Sequence, residues 1–409
     1  MSLIRPFAAL RPAAGYADAV IAPPYDVVNS EEARILVQGR PWSFLHVSKP
    51  EIDHPNGMNP YDSEIYSTGI TNFKRMIENG ILMQDKRPGY YVYRLIMDER
   101  VQIGIAVTIS IAAYQENRIC RHEYTRPDKE DDRVKHIQAL NAQTGPVLLA
   151  YPDLYGIDSI LNAIINQEPD VDVFSDIGVR HTLWCVYEGM AIKKLTEFFD
   201  KIPKLYIADG HHRSAAASRV SLSRSSNHQE RFLLSDYFLA VLFPCHQMYI
   251  MEYNRLIKDL NGLMIPDFFK QVEKSFVIEE VFSSYKPRAP GEFGLYLDHK
   301  WYKLRIKSEL VSSDPVERLD VSLLHDYLIT PILGIEDVRR DRRIDFVGGI
   351  RGIVELERRV DSGEMVLAFS LFPTRMSDLM AVADMGKVMP PKSTWFEPKL
   401  ADGLVSYLL

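Results

Sequence analysis

The stretch Gly89–Tyr114, GYYVYRLIMDERVQIGIAVTISIAAY, constrains the fold more than any other part of the chain. Two runs rich in β-branched and aromatic residues flank the charged turn Asp98-Glu99-Arg100, which is the pattern of two strands joined by a short connection. Helical segments lie on either side. NSEEARILVQG (29–39) has Asn29 or Ser30 as a cap, early glutamates and Gly39 as a stop. YDSEIYSTGITNFKRMIENGIL (61–82) carries apolar residues at helical spacing up to Gly80. Further on, DDRVKHIQALNAQTG and AIKKLTEFFDKI read as helices, and PVLLAYP, HTLWCVYEG and PKLYIADG as strands. DYFLAVLFPCHQMYIMEY reads as strand, turn, strand; the remainder alternates helices such as IPDFFKQVEKSF with strands such as FGLYLDHKWYKLRI. The mixture predicts an α/β, mixed α+β architecture.

At 409 residues the chain exceeds one ordinary core, so two domains are expected. The polar run SLSRSSNHQE (221–230) is the best boundary, giving a first domain over 1–235 and a second mixed α/β domain over 236–409. With 46% hydrophobic and 25% charged residues the composition is globular. A net charge of -7 argues against a protein whose main business is wrapping a polyanion. No helix-turn-helix pattern is evident, so DNA is not an expected partner. Cys120, Cys185 and Cys245 are far apart, odd in number and without a CxxC pair, which speaks against a disulfide framework and for a reducing, cytoplasmic compartment. The first twenty residues lack a continuous apolar core of the signal-peptide kind, and runs such as Tyr237–Pro244 are far shorter than a membrane span, so no membrane partner is expected. The sequence leaves the oligomeric state open, a homodimer among the possibilities.

The densest chemistry lies in YIADGHHRSAAASRV, Tyr206–Val220. An apolar strand-like run meets Asp209-Gly210-His211-His212-Arg213, and the efficient helix former SAAAS follows at once. A strand–turn–helix unit aims the free N–H groups of a new helix at whatever lies in front of it, and these groups with the helix dipole favour an anion. Gly210 permits close backbone approach, and Arg213 offers a fork of donors suited to phosphate. His211 or His212 can donate to phosphate or move a proton near neutral pH, while Asp209 can hold Mg2+ or act as a base. Ser214 completes the phosphate-binding candidates. The structural alternative makes Asp209 a helix N-cap, Gly210 a turn residue and the histidines surface groups.

DGHHRSAAA resembles the DGxHR-x-x-A motif of the ParB/sulfiredoxin-like superfamily, which includes chromosome-segregation CTPases, sulfiredoxin and free-serine kinases. A second resemblance runs along almost the whole chain. IAPPYDVVNSEEA (21–33), RHEYT (121–125), ADGHHR (208–213), YNRLIKDLNGL (253–263) and MPPKSTWFEPKLADGL (389–404) occur in the order found in domain-of-unknown-function family 1015. Together the two resemblances imply a ParB/sulfiredoxin-like first domain and a phosphotransferase similar to the serine kinases. Such an enzyme uses Mg2+ with ATP or ADP on a small hydroxyl substrate.

Other clusters add candidates. In CRHEYTRPDKEDDR, His122 and Glu123 fall where a strand opens into a loop, and Glu123 is the leading general base, an ion pair being the structural alternative. The acids after Pro127 suit the first turn of a helix. In APPYDV two prolines stiffen the approach to Tyr25 and Asp26, substrate or metal contacts unless the segment is only a rigid turn. MPPKSTWFEPKL places Lys392, Ser393, Thr394 and Lys399 beside Trp395 and Phe396, donors on a stiff loop that suit a phosphate and a stacked ring. Asn254 and Arg255 are polar groups at a strand end. The expectation is that the PPKST loop, the PPYD segment and the RHE segment line one pocket with DGHHR. Two further readings stand beside the phosphotransferase: a ParB-like nucleotide-binding regulatory module, and a metal-dependent hydrolase built on His122, Glu123 and the His211–His212 pair.

Overall fold

The computed structural model describes residues 2–225 and 233–409. Of the polar run 221–230, residues 226–230 lie outside the described residues, whereas 221–225 continue a helix. The chain forms two compact units, Met1–Met248 with Pro398–Leu409, and Tyr249–Glu397.

The first unit is organised by a nine-stranded sheet. Its strands are β1 (Ile4–Arg5), β2 (Tyr90–Met97), β3 (Arg100–Ser110), β4 (Ile119–Cys120), β5 (Val147–Tyr151), β6 (Val171–Phe174), β7 (Arg180–Val186), β8 (Leu205–Asp209) and β9 (Tyr237–Pro244). The spatial order is β4-β8-β5-β9-β3-β2-β7-β6, with β1 beside β3. Only β8 with β4 and β9 with β5 run parallel. The β2–β3 hairpin forms as its sequence predicts, turning at Asp98 with φ 53 and pairing Met97 with Arg100. Gly104 on β3 lets β9 come close: a Cβ there would sit 2.5 Å from the Leu242 carbonyl oxygen. The end of the run differs from expectation. Ile111–Gln115 is helical, because the Ser110 side chain accepts the Ala113 N–H and caps a new turn.

Five longer helices belong to this unit: α1 (Ser63–Glu78), α2 (Pro127–Leu140), α3 (Tyr155–Ile165), α4 (Gly189–Asp200) and α5 (His211–Ser225). Helix α2 begins at Pro127, with Asp128 and Glu130 in its first turn, where acids complement the dipole. Ile157 and Leu161 of α3 and Leu195 and Phe199 of α4 join Val92, Val107, Leu149 and Leu205 in the main core. Each such side chain contributes about 1.5–3 kcal/mol by leaving water. A second core gathers Phe44, Phe73, Met76 and Leu140. Helix α5 meets α2 through Ala216 and Val220 against Ile137; its small residues let the two helices approach. The C-terminal segment is stitched in by backbone bonds: Asp402 exchanges bonds with Ala22, Ser406 with Leu10, and Tyr407–Leu408 pairs with Ala142–Gln143.

The second unit is built on a six-stranded antiparallel sheet in the order Phe276–Val281, Lys300–Ile306, Glu292–Leu297, Leu367–Leu371, Tyr253–Ile257, Ile344–Gly348. Leu256, Tyr296, Trp301, Val347 and Leu356 form one of its cores. A two-stranded ribbon pairs the segment that enters this unit with the one that leaves it, Tyr249 opposite Glu397. The whole is a mixed α+β fold. No helix among the described residues is long and apolar enough to cross a membrane.

Candidate functional site at the start of helix α5

β8 ends at Asp209, and Gly210 takes φ +100 before α5 begins at His211. This region of backbone space is strained for any residue with a Cβ. The first intrahelical bond runs from the Ser214 N–H to the Gly210 carbonyl (2.9 Å), so the N–H groups of His211, His212 and Arg213 precede the helical ladder. The Ser214 hydroxyl is buried and turns back on the Gly210 and His211 carbonyls at 3.1 Å.

Arg213 is buried, and its guanidinium is shared among oxygens of the chain itself. Nη2 lies 3.3 Å from Asp26 Oδ2 and 3.2 Å from Asp209 Oδ2, while Nη1 donates to the Pro146 carbonyl. The two carboxylates remain part-exposed, 39% for Asp26 and 30% for Asp209, so each keeps a face toward solvent. Lys399 Nζ is 3.9 Å from Asp209. Burial works to raise the Asp209 carboxyl, but Lys399, Arg213 and His211 outweigh it and hold it down at about 2. Asp209 is therefore a carboxylate at any physiological pH.

A cavity of about 30 Å3 is lined by Tyr25, Ser48, Arg133, His136, Arg213 and Asp402. That volume suits one water molecule. The Arg133 guanidinium lies 3.9 Å from the Tyr25 ring centroid and pairs with Asp132 at 2.6 Å. Burial pushes the Asp402 carboxyl up to about 7, Arg213 opposing, and its Oδ2 makes no hydrogen bond.

On the other side of the first turn, the segment after β4 covers the histidines. The His122 N–H approaches His211 Nε2 at 3.4 Å, and the Arg126 N–H donates to His212 Nε2 at 3.0 Å. His212, lowered by burial, is neutral, and with Nε2 accepting, its proton sits on Nδ1. His122, Glu123 and His211 each bring a donor atom into one cluster, all within 4.8 Å of one another.

Tyr25, Asp26, Asp209, Gly210 and Arg213 thus come together, and His122, Glu123, His211 and His212 gather on the adjoining face of the same turn. Asn254, Arg255, Lys392, Ser393 and Thr394 belong to the second unit. There Asn254 Oδ1 accepts the Leu371 N–H at 3.1 Å, and Arg255 donates to the Lys392 carbonyl at 2.9 Å with its charge 5.2 Å from the Phe346 ring. The Ser393 hydroxyl donates to the Pro390 carbonyl, and the Lys392 ammonium lies 5.5 Å from the Tyr253 ring. Lys399, legible as a donor of the C-terminal segment, reaches Asp209. Asp402 carries no local signal: a single acid in ADGL is indistinguishable from a surface residue until the fold buries it.

Residues 4–322 match the family described as "Protein of unknown function (DUF1015)". The chain belongs to the DUF1015 family. No curated protein matches it. Among solved structures, this DUF1015 chain is similar to a conserved hypothetical protein from Pyrococcus furiosus, at 14% identity and TM-score 0.36, over 74% of this chain and 95% of the other. It is also similar to a free serine kinase variant in complex with AMP, at 12% identity and TM-score 0.37, over 73% and 92%.

Proposed function

We propose that the first unit is a nucleotide-dependent phosphotransferase that acts on a small hydroxyl compound, with free serine the first acceptor to test. The observation that carries this reading is the start of α5: Gly210 at φ +100 opens the N-terminus of a fifteen-residue helix beside Lys399 and two carboxylates bridged by Arg213. Backbone N–H groups, the helix dipole and an ammonium suit the terminal phosphate of ATP or ADP. The resemblance of DGHHR to the ParB/sulfiredoxin-like motif supports the same assignment.

The residues divide the work. The N–H groups of His211, His212 and Arg213, with Lys399 and His212, hold phosphate. Arg213 itself serves as a clamp on Asp26 and Asp209, since its Nη2 is already committed to them and its Nη1 to the Pro146 carbonyl. Asp209 and Asp26 present hard oxygen donors of the kind Mg2+ takes, and the ion there would offset the charge of the phosphates. The acceptor hydroxyl oxygen forms the new P–O bond as the bond to the nucleotide's leaving phosphate oxygen breaks, and the hydroxyl proton passes to Asp26, the more exposed carboxylate. Glu123, the proton acceptor expected from sequence, faces the two buried histidines instead. Catalysis of this kind rests on positioning and charge stabilisation.

Phosphorus NMR tests it. The chain with Mg2+, L-serine and ATP or ADP in parallel is expected to give an O-phosphoserine resonance. Lys399→Ala is expected to lower the rate by about tenfold or more, as the loss of a charged phosphate contact does. Nucleotide consumed without phosphoserine would keep the site and replace the acceptor. Nucleotide that neither shifts nor broadens would overturn the assignment.

A further inference from the structure

We propose that His122, Glu123 and His211 form a binding site for one divalent transition-metal ion of the zinc type, clamping the segment after β4 to the first turn of α5. The three donor atoms, one from each side chain, lie within 4.8 Å of one another. Around Zn2+ with bonds of about 2.0–2.2 Å, tetrahedral donors stand roughly 3.4 Å apart. Small side-chain rotations close that gap. The donors also come from two separate pieces of chain, so the ion would tie structure together rather than decorate one loop.

The second observation concerns His122. The residue is 2% exposed, and neither ring nitrogen makes a hydrogen bond of good geometry, although the Ile207 backbone lies close enough to oppose the effect of burial. Leaving both nitrogens of a buried imidazole unsatisfied is costly, about 1–3 kcal/mol for each group. The same molecule shows what an ordinary core histidine looks like. His136 and His181, equally buried, each have a partner: His136 Nε2 is 3.0 Å from the Val47 carbonyl oxygen, and His181 Nδ1 is 2.6 Å from the Tyr93 hydroxyl. Among the described histidines, only the rings of His122 and His211 meet edge to face, with 4.5 Å between centroids, and the half-buried Glu123 stands beside them. A pair of imidazoles next to a carboxylate is what a metal ion needs and what a core does not.

Two imidazoles and one carboxylate are borderline donors that select zinc, cobalt or iron(II) over Mg2+ and Ca2+, which prefer all-oxygen sets. Three protein ligands leave a fourth position open. The site is distinct from the oxygen donors Asp26 and Asp209, and its existence does not depend on the phosphotransfer reading.

The test uses the full chain, stripped with a chelator and titrated with Co2+. One equivalent is expected to bind with the visible ligand-field absorption of nitrogen and oxygen coordination, to be displaced by Zn2+ but not by Mg2+, and to raise the melting temperature. Glu123→Gln should weaken binding by about tenfold or more, a loss already typical of residues that merely support a ligand. His122→Asn should abolish it, and His299→Ala, in the second unit, should leave it intact. Glu123→Gln is nearly isosteric and keeps the test decisive if His122→Asn does not fold. Absence of the absorption with the unmutated chain, or equal affinity in unmutated chain and Glu123→Gln, overturns the site. Because the readout is binding, it stands apart from any failure to phosphorylate serine.

Discussion

Asp402 is a residue whose chemistry is altered by its surroundings. Burial raises its carboxyl from 3.8 to about 7 against the pull of Arg213. Between about pH 4 and pH 7 the folded chain keeps a proton that the unfolded chain gives up, so this group's contribution to stability falls as pH rises through that window and levels off above it. A shift of this size corresponds to roughly 4 kcal/mol at most. Asp402→Asn preserves the shape and removes the titration. In urea unfolding it should gain stability relative to the unmutated chain on going from about pH 4 to pH 8, in the direction linkage requires. A stability difference that does not change with pH would show that Asp402 is not held as a buried acid. Arg213 illustrates the reverse case, a charge whose burial is outweighed by two carboxylates. Its type and its place in DGHHR are legible in sequence, but its use is not, because Asp26 lies 187 residues away. A donor fork suited to phosphate is equally suited to carboxylates, and only the fold decides which it meets.

At the scale of elements, local signals served well where one segment carries its own instructions. The Asn29 capping box with Glu32, the β2–β3 hairpin and the β8–Gly210–α5 unit all form where residue types predict them. They failed where an end is set by a single competing side chain, as at Ser110. They were silent on pairing: nothing in RIC or YIAD announces that β4 and β8 run parallel at one end of the sheet, so the meeting of His122 with His211 could be named but not placed. Gly210 is the joint on which the site depends. A methyl group at φ +100 is strained, and its Cβ would stand 3.4 Å from Val147. Gly210→Ala is expected to destabilise the chain by about 1–2 kcal/mol in urea unfolding. It should also weaken nucleotide binding, because the N–H groups of the first turn would be re-aimed. An Ala variant with unchanged unfolding midpoint would show that the turn relaxes without strain.

For the molecule as a whole, the division of the chain follows from hydrogen bonds rather than from composition. Residues 398–409 belong with the first unit: Asp402 bonds to Ala22, Ser406 to Leu10 and Tyr407 to Gln143, while Lys399 stands by Asp209. The intervening unit starts and finishes on one ribbon, with Tyr249 directly opposite Glu397. Opposed residues in an antiparallel pair are about 4.5–5.5 Å apart, a gap that a few linker residues span. The second unit is therefore an insertion, and the backbone bonds that complete the first unit are all made by residues outside it. Joining Met248 to Pro398 through a short Gly-Ser linker should give a first unit that unfolds cooperatively. Ending the chain at Glu397 should not, because it strips Lys399 from Asp209 and uncovers the backbone of Leu10 and Ala22. Circular dichroism melts of the two shortened chains decide the matter. A cooperative transition in the linked form alone supports the insertion, whereas loss of structure there would mean that the first unit needs the second to fold. If the linked form folds and still gives the O-phosphoserine resonance, the candidate site is complete within the first unit. If it folds and is silent while the full chain is active, the second unit supplies an indispensable group, and Arg255 and Lys392 are the first to change.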